Sequence, residues 1–442
     1  MKKKIFFPII LIIVLFIAAA PLQAAAFTPD AQYDVKCQKY IMVSLDTGNT
    51  VAAKNVTKKN APAALVHLMT ALVVYENVPN LDETFFASEE GVVAVMNTGA
   101  LGCDLKIGEQ MSFRDQLGRL LVGSCADAAT ALASEVGGTI SGFVAMMNQK
   151  AAALGMNSTN YTDPSGLDDQ GQFTTCEDMA KLAKEIIKNE YLYSLCCKRR
   201  YTVPTTNKTA ERLLSTPNYF IDQGYNGYYY KYAVGGKTGY TSSAGRNIFA
   251  TASYEGMNYF VILLGCSPTD EEGERVRYDF SSARQLFRWA FLELSYENVV
   301  ELNVPLAEAQ VTLSLATDYV SLVPKESVYA LVPNKDLDAV TYKPYVTKPL
   351  VEAPVKKGDV LGYAEIYCSG EYVGRVDLVA QADVDRNILL YLWDRFRKFI
   401  TSKGFLITAA VIVVISIAVL AVISRLRAKK RRERRRSSYR RR

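Results

Sequence analysis

The sequence predicts an α/β domain, a mainly antiparallel sheet covered by helices, followed by a small all-β domain and a C-terminal transmembrane helix. Three observations predict this order. Strand-like runs stand at both ends of a helical middle within residues 30–296, the pattern of one sheet covered by helices. Over residues 298–386 the helical period fades into short β-rich runs (VTLSLA, VYALVP, LGYAEIYC, YVGRVDLVA) separated by Pro, Gly and Asp turns. Residues 404–424 then form an uncharged apolar stretch of about 20 residues, long enough to cross a hydrocarbon core as a helix.

Each element follows from its own pattern. Lys2, Lys3 and Lys4, the apolar run Ile5 to Ala20 and the small-residue site Ala24-Ala25-Ala26 read as a signal peptide over residues 1–26. KYIMVSL and TVAAKN around DTGN form a hairpin. From Pro62, Leu65, Leu68, Met69, Leu72 and Val73 recur at spacings of three and four, which predicts a helix. Further helices are expected at about 126–137, 139–154, 174–189 and 279–296, and strands at about 199–203, 230–237, 245–254 and 257–266. The small β domain over 298–386 is expected to be a sandwich. Residues 388–403 mix aromatics with Arg and Lys just ahead of the span and suit an interfacial connector.

Charge sets the topology. Residues 425–442 carry 12 Lys/Arg against one Glu. The positive-inside rule puts such a tail in the cytoplasm, against anionic lipid, and its place beside a span argues against nucleic acid. Setting aside the tail (+11) and the leader (+3) from the formal +6 leaves the exported body at about −8. A hydrophobic fraction of 49% over 442 residues suffices for a sizeable core without disulfides. Eight cysteines in an exported chain permit them, but their pairing is not readable. With no C-x-x-C pair and a single histidine, His67, the sequence implies neither a metal nor another cofactor.

The chemistry concentrates in VGGKTGYTSSAGR, residues 234–246, where Lys-Thr-Gly falls on an expected strand. PAALVHLMTALV (62–73), VGSCADAATALA (122–133), FVAMMNQKAAALGMNSTNYTDPSGLDD (143–169) and TTCEDMAKLA (174–183) surround it. Together these segments resemble, in order, the serine D-alanyl-D-alanine carboxypeptidases among the low-molecular-mass penicillin-binding proteins. The resemblance implies an extracytoplasmic domain of penicillin-binding (β-lactamase-like) transpeptidase fold that handles the D-Ala-D-Ala end of the peptidoglycan stem peptide.

It also shows what this chain lacks. In that family a serine opening a helix attacks the penultimate D-Ala carbonyl and a lysine one turn on takes its proton, since i and i+3 share a helix face. Those positions here hold Ala64 and His67. No serine lies three residues before any lysine; Thr205 with Lys208 and Cys103 with Lys106 imitate the spacing elsewhere. In the second element Ser124 is kept, but Ala126 replaces the asparagine that holds the substrate amide. The third is intact: Lys237 and Thr238 can bind a terminal carboxylate, and Gly239 lets substrate backbone approach. The resemblance further gives the N–H groups of Ala64 and Tyr240 as an oxyanion hole and, through a looser match, Arg212 as a carboxylate contact. Loss of a serine-hydrolase nucleophile lowers kcat on the order of a millionfold, so turnover by the family route is not expected.

Plainer readings stand beside these. His67, with nothing to activate, reads as a partly buried polar residue of the cleft. Ser124 with Lys237 can be a displaced Ser–Lys dyad, and Cys125 either a thiol nucleophile or a small buried hydrophobe. Tyr225, Tyr228, Tyr229 and Tyr230 suit packing more than sugar stacking. Three functions follow: a non-catalytic protein binding stem peptide or a wall-synthesis partner, a carboxypeptidase with a displaced nucleophile, or a tethered scaffold.

Overall fold

The computed structural model describes residues 27–225, 227–334, 340–368 and 370–439. The expected leader, residues 1–26, lies outside them. The first compact unit holds a five-stranded antiparallel sheet built from β1 (Tyr40–Ser44), β2 (Thr50–Lys54), β3 (Ala233–Thr241), β4 (Gly245–Tyr254) and β5 (Met257–Cys266). Their order is β2-β1-β5-β4-β3, so the N-terminal hairpin closes onto a meander from the far end of the domain and β3 is an edge strand.

Strand alternation assigns two cores. On β4 and β5, Phe249, Phe260, Ile262 and Leu264 face a helical layer made of α1 (Val66–Asn77), α2 (Phe113–Leu121), α3 (Ala126–Gly137), α4 (Ile140–Ala153), α5 (Cys176–Lys188) and α6 (Glu190–Cys196). Ile248, Ala250, Val261 and Leu263 face the other way, onto Phe280, Phe287, Trp289 and Phe291 of α7 (Tyr278–Glu293). Nine of the twelve residues of α1 are buried, so it is the central helix, and its apolar character runs all round rather than along a stripe. Ser112, Thr139 and Thr175 cap α2, α4 and α5 by accepting from backbone N–H groups three residues on.

The helices at 126–137, 139–154 and 174–189 and the strands at 245–254 and 257–266 stand where periodicity predicts them, within a residue or two. The strand expected at 230–237 begins later and continues through the Lys-Thr-Gly to Thr241. Helices α2 and α6 were not expected. Among the described residues, Cys37–Cys266 and Cys103–Cys125 form disulfides, with Cα separations of 4.8 and 5.5 Å.

Apart from Cys368–Val373, the second unit contains the strands β6 (Ala307–Thr312), β7 (Tyr319–Pro324), β8 (Val340–Val346), β9 (Leu350–Glu352), β10 (Val360–Cys368) and β11 (Glu371–Ala380). They join in one six-stranded sheet, order β8-β10-β11-β7-β6-β9, in which β6 and β9 run parallel. The all-β domain expected over 298–386 is present, its strands joined in one hydrogen-bonded sheet. Helix α8 (Ile388–Ile400) has no buried residue and exposes Leu389, Trp393, Phe396 and Phe399. Helix α9 (Lys403–Tyr439) contains a segment, Lys403–Lys430, long and apolar enough to cross a membrane.

Candidate active site

Ala64 sits in a single 3₁₀ turn, Ala63–Leu65, that runs straight into α1. The approach to this turn is fixed from the sheet: Asn247 on β4 donates to the carbonyls of Ala61 at 2.9 Å and Pro62 at 3.0 Å. Ala63 is held at φ 47°, a conformation that non-glycine residues keep only where the surroundings over-determine it. Gly239 on β3 packs against the same turn so closely that a Cβ there would lie 2.9 Å from the Ala64 nitrogen. This close approach sets the Ala64 nitrogen beside Gly239, the residue before Tyr240.

His67 lies on α1, wholly buried, with Nε2 2.8 Å from the Ser165 carbonyl. The tautomer with the proton on Nε2 makes this a hydrogen bond. Burial, reinforced by the nearby Lys237 charge, pushes the imidazole pKa down to about 3. His67 is therefore neutral at physiological pH and locks the loop 163–168 onto the helix that in the family carries nucleophile and base. Asp163 organises that loop by accepting from the N–H groups of Ser165 and Gly166, both at 2.8 Å, and Thr241 donates to Asp168 at 2.6 Å.

Ser124 lies in the short link between α2 and α3, at φ 59° and nearly buried. Lys237, which reaches across from β3, has its Nζ 2.6 Å from Ser124 Oγ and 3.0 Å from the Thr238 carbonyl. Burial lowers the Lys237 pKa to about 7. An amine so placed is partly deprotonated at neutral pH, and its neutral form can accept the Ser124 proton.

These residues border one cleft of about 620 Å³. Ala64, His67, Ser124, Ala126, Thr238, Gly239 and Tyr240 all line it; Lys237 stands behind Ser124, only 2% exposed. The side chains of Ala64 and Ala126 present methyl groups to this cleft.

Residues 25–267 match the D-alanyl-D-alanine carboxypeptidase family and residues 301–386 the C-terminal domain of penicillin-binding protein 5. The chain belongs to the D-alanyl-D-alanine carboxypeptidase family. It is 30% identical to the D-alanyl-D-alanine carboxypeptidase DacB2 of Mycobacterium tuberculosis, over 62% of this chain and 88% of that protein. It is 26% identical to DacF of Bacillus subtilis, over 78% and 85% respectively. Among solved structures, the carboxypeptidase DacD of Francisella tularensis superposes with a TM-score of 0.64 at 22% identity, covering 83% of this chain and 96% of that one. Penicillin-binding protein 5 of Haemophilus influenzae gives 0.57 at 23% identity, over 82% and 100%. The penicillin-binding fold expected from the sequence is thereby established.

Within this carboxypeptidase framework one expectation is corrected. Arg212 does not line the cleft. Its guanidinium is taken up by Glu109 at 2.8 Å and the Cys103 carbonyl at 2.7 Å, part of a buried network that includes Arg119, Thr206 and Thr209. Of the two readings of Cys125 the buried one holds, since it is wholly buried and bonded to Cys103. Those two cysteines and Asp127 form a cluster of metal-ligating types, but the sulfurs are joined and Asp127 Oδ2 accepts from the N–H groups of Cys103 and Leu105 at 2.8 and 3.0 Å.

Among the cleft residues that the sequence reading missed are Tyr219, Arg246 and Arg277. Arg277 is bidentate to Asp279 and lies 3.8 Å from the Phe280 ring centroid. Arg246 closes the run 234–246, and the hairpin pairs it directly with Tyr240; that spacing was the available signal. Of the tyrosine run, Tyr230 is buried among Phe220 and Phe287, whereas Tyr225 and Tyr228 are exposed.

Proposed function

We propose that the chain is a catalytically inactive member of its family that binds the D-Ala-D-Ala end of peptidoglycan stem peptides, or a wall-synthesis partner presenting that end. The observation that carries this reading is Ala64: a methyl faces the cleft at the family's nucleophile position, beside a neutral, buried His67. The binding wall is kept, with Thr238, Gly239 and Tyr240 along the edge strand β3. The apolar helix within Lys403–Lys430 would anchor the body outside the cytoplasm, with the basic tail inside against anionic lipid. Calorimetric titration of the full chain in detergent with an acetylated D-Ala-D-Ala peptide tests it. Binding at or below millimolar concentration, weakened at least tenfold by Thr238→Val, is expected; no binding at millimolar peptide overturns it.

A second reading rests on the 2.6 Å contact between Lys237 and Ser124. A near-neutral lysine beside a serine is the arrangement of a Ser–Lys nucleophile. In the family's geometry that serine faces the leaving group rather than the carbonyl, which disfavours it. Release of D-Ala by the wild type, abolished in Ser124→Ala, would support it.

A further inference from the structure

The far end of the cleft carries a guanidinium with no ion pair among the described residues. Arg246 starts β4, pairs across the hairpin with Tyr240 and lays its guanidinium over that ring at 4.8 Å. Its Nε donates to the Val276 carbonyl at 3.1 Å, and this is its only hydrogen bond to a described residue, so both Nη groups remain available. The carboxylates nearby are committed: Asp279 to Arg277 in a bidentate pair, Asp168 to the Thr241 hydroxyl. Arg246 is half-buried, and burial together with the neighbouring Arg277 disfavours its charged form. A cation so desolvated gains more from an anion than an exposed one does.

We propose that Arg246, backed by the Tyr240 ring, is a second carboxylate subsite that selects peptides bearing an acidic side chain upstream of their C-terminus. The inference rests on the stem-peptide reading above and adds the class of peptide. Residue spacing fixes which side chain reaches it. An extended peptide can add to the free edge of β3, with its terminal carboxylate at Thr238. Tyr240, and Arg246 opposite it, lie two residues further along, roughly 7 Å at the rise of a strand. With the penultimate D-Ala carbonyl at the Tyr240 N–H and Arg246 bordering the cleft beside that ring, the first side chain beyond the D-Ala pair, on the residue third from the C-terminus, is the one that carries the acidic group.

The test uses two acetylated tripeptides, Glu-D-Ala-D-Ala and Gln-D-Ala-D-Ala, titrated into the full chain and into Arg246→Gln. The wild type is expected to bind the Glu peptide about five- to tenfold more tightly, a preference that shrinks with added salt. Arg246→Gln should bind both alike, at the wild type's affinity for the Gln peptide. Equal affinities in the wild type, or an undiminished preference in the variant, overturn the subsite and leave the stem-peptide reading standing. If neither peptide binds the wild type at millimolar concentration, both fall. The wild-type comparison alone decides the subsite should Arg246→Gln fail to fold.

Discussion

Lys237 Nζ lies 2.6 Å from Ser124 Oγ, a contact that ties strand β3 to the link from α2 to α3. The contact joins two buried groups, and Lys237 keeps its amine there at a cost.

That cost has a pH signature. The folded pKa of Lys237 is lowered to about 7 from 10.5. Below about 7 both folded and unfolded chains hold the proton, and the penalty for burying the charge is full. Between about 7 and 10.5 the unfolded chain binds more protons, so stability rises with pH. Urea midpoints of wild type and Lys237→Met at pH 6.5, 8 and 9.5 should diverge in favour of the wild type, by on the order of a few kcal/mol. Parallel profiles would contradict a buried, pKa-shifted lysine.

The loop 163–168 is fitted to the turn that holds Ala63 and Ala64. Gly166 has φ 87°, and a Cβ there would lie 2.7 Å from the Ala63 carbonyl carbon. Gly166→Ala should destabilise by roughly 2–4 kcal/mol, from backbone strain and contact together. Gly48 has φ 74° but open space around it, so Gly48→Ala should cost only about 1 kcal/mol. Equal losses in denaturant melts would mean that the contact with the Ala63 turn is not there.

Arg212 separates a structural role from a binding one. Glu109 is fully buried and accepts from Arg212, Thr206 and Thr209 through one oxygen. Arg212→Ala should lower stability by roughly 2–4 kcal/mol by leaving that carboxylate under-compensated. D-Ala-D-Ala peptide affinity should stay within about twofold of wild type. A large loss of affinity at unchanged stability would restore Arg212 to the cleft.

On the proposed reading, the side chains at positions 64 and 67 are what the cleft lacks for acylation. Ala64→Ser with His67→Lys should acquire covalent labelling by a fluorescent penicillin, mapped to position 64. The single Ala64→Ser should react about 10²–10⁴-fold more slowly for want of a base. Adding Ala126→Asn should accelerate acylation further. A double variant that folds yet takes no label would show that the backbone around Ala63 is no longer arranged for the reaction.

Much of this architecture was legible because periodicity and motif agree. Helices α3, α4 and α5 and strands β4 and β5 follow their apolar spacing, and the Lys-Thr-Gly located the edge strand. Helix α2 escaped notice because two of the side chains it buries are Gln116 and Arg119, which read as solvent-facing in sequence. Arg119 is tolerated inside because Met111, the Cys103 carbonyl and two carboxylates surround it. The Arg212 expectation failed for a related reason: the sequence shows a cation but not the buried Glu109 that claims it. The disulfides were unreadable because Cys37 and Cys266 are neighbours only once β1 pairs with β5. Arg246 and Arg277 reach the cleft from β4 and from the N-terminal end of α7, and only the three-dimensional fold brings those ends together.

The most direct experiment is intact-protein mass spectrometry of the full chain after incubation with a penicillin, alongside an assay of D-Ala released from a D-Ala-D-Ala peptide. Unmodified mass and no released D-Ala are the expected results for Ala64 in place of the nucleophile. A penicillin adduct mapped by digestion to Ser124, with D-Ala release, would show that the nucleophile has moved and that the site is active.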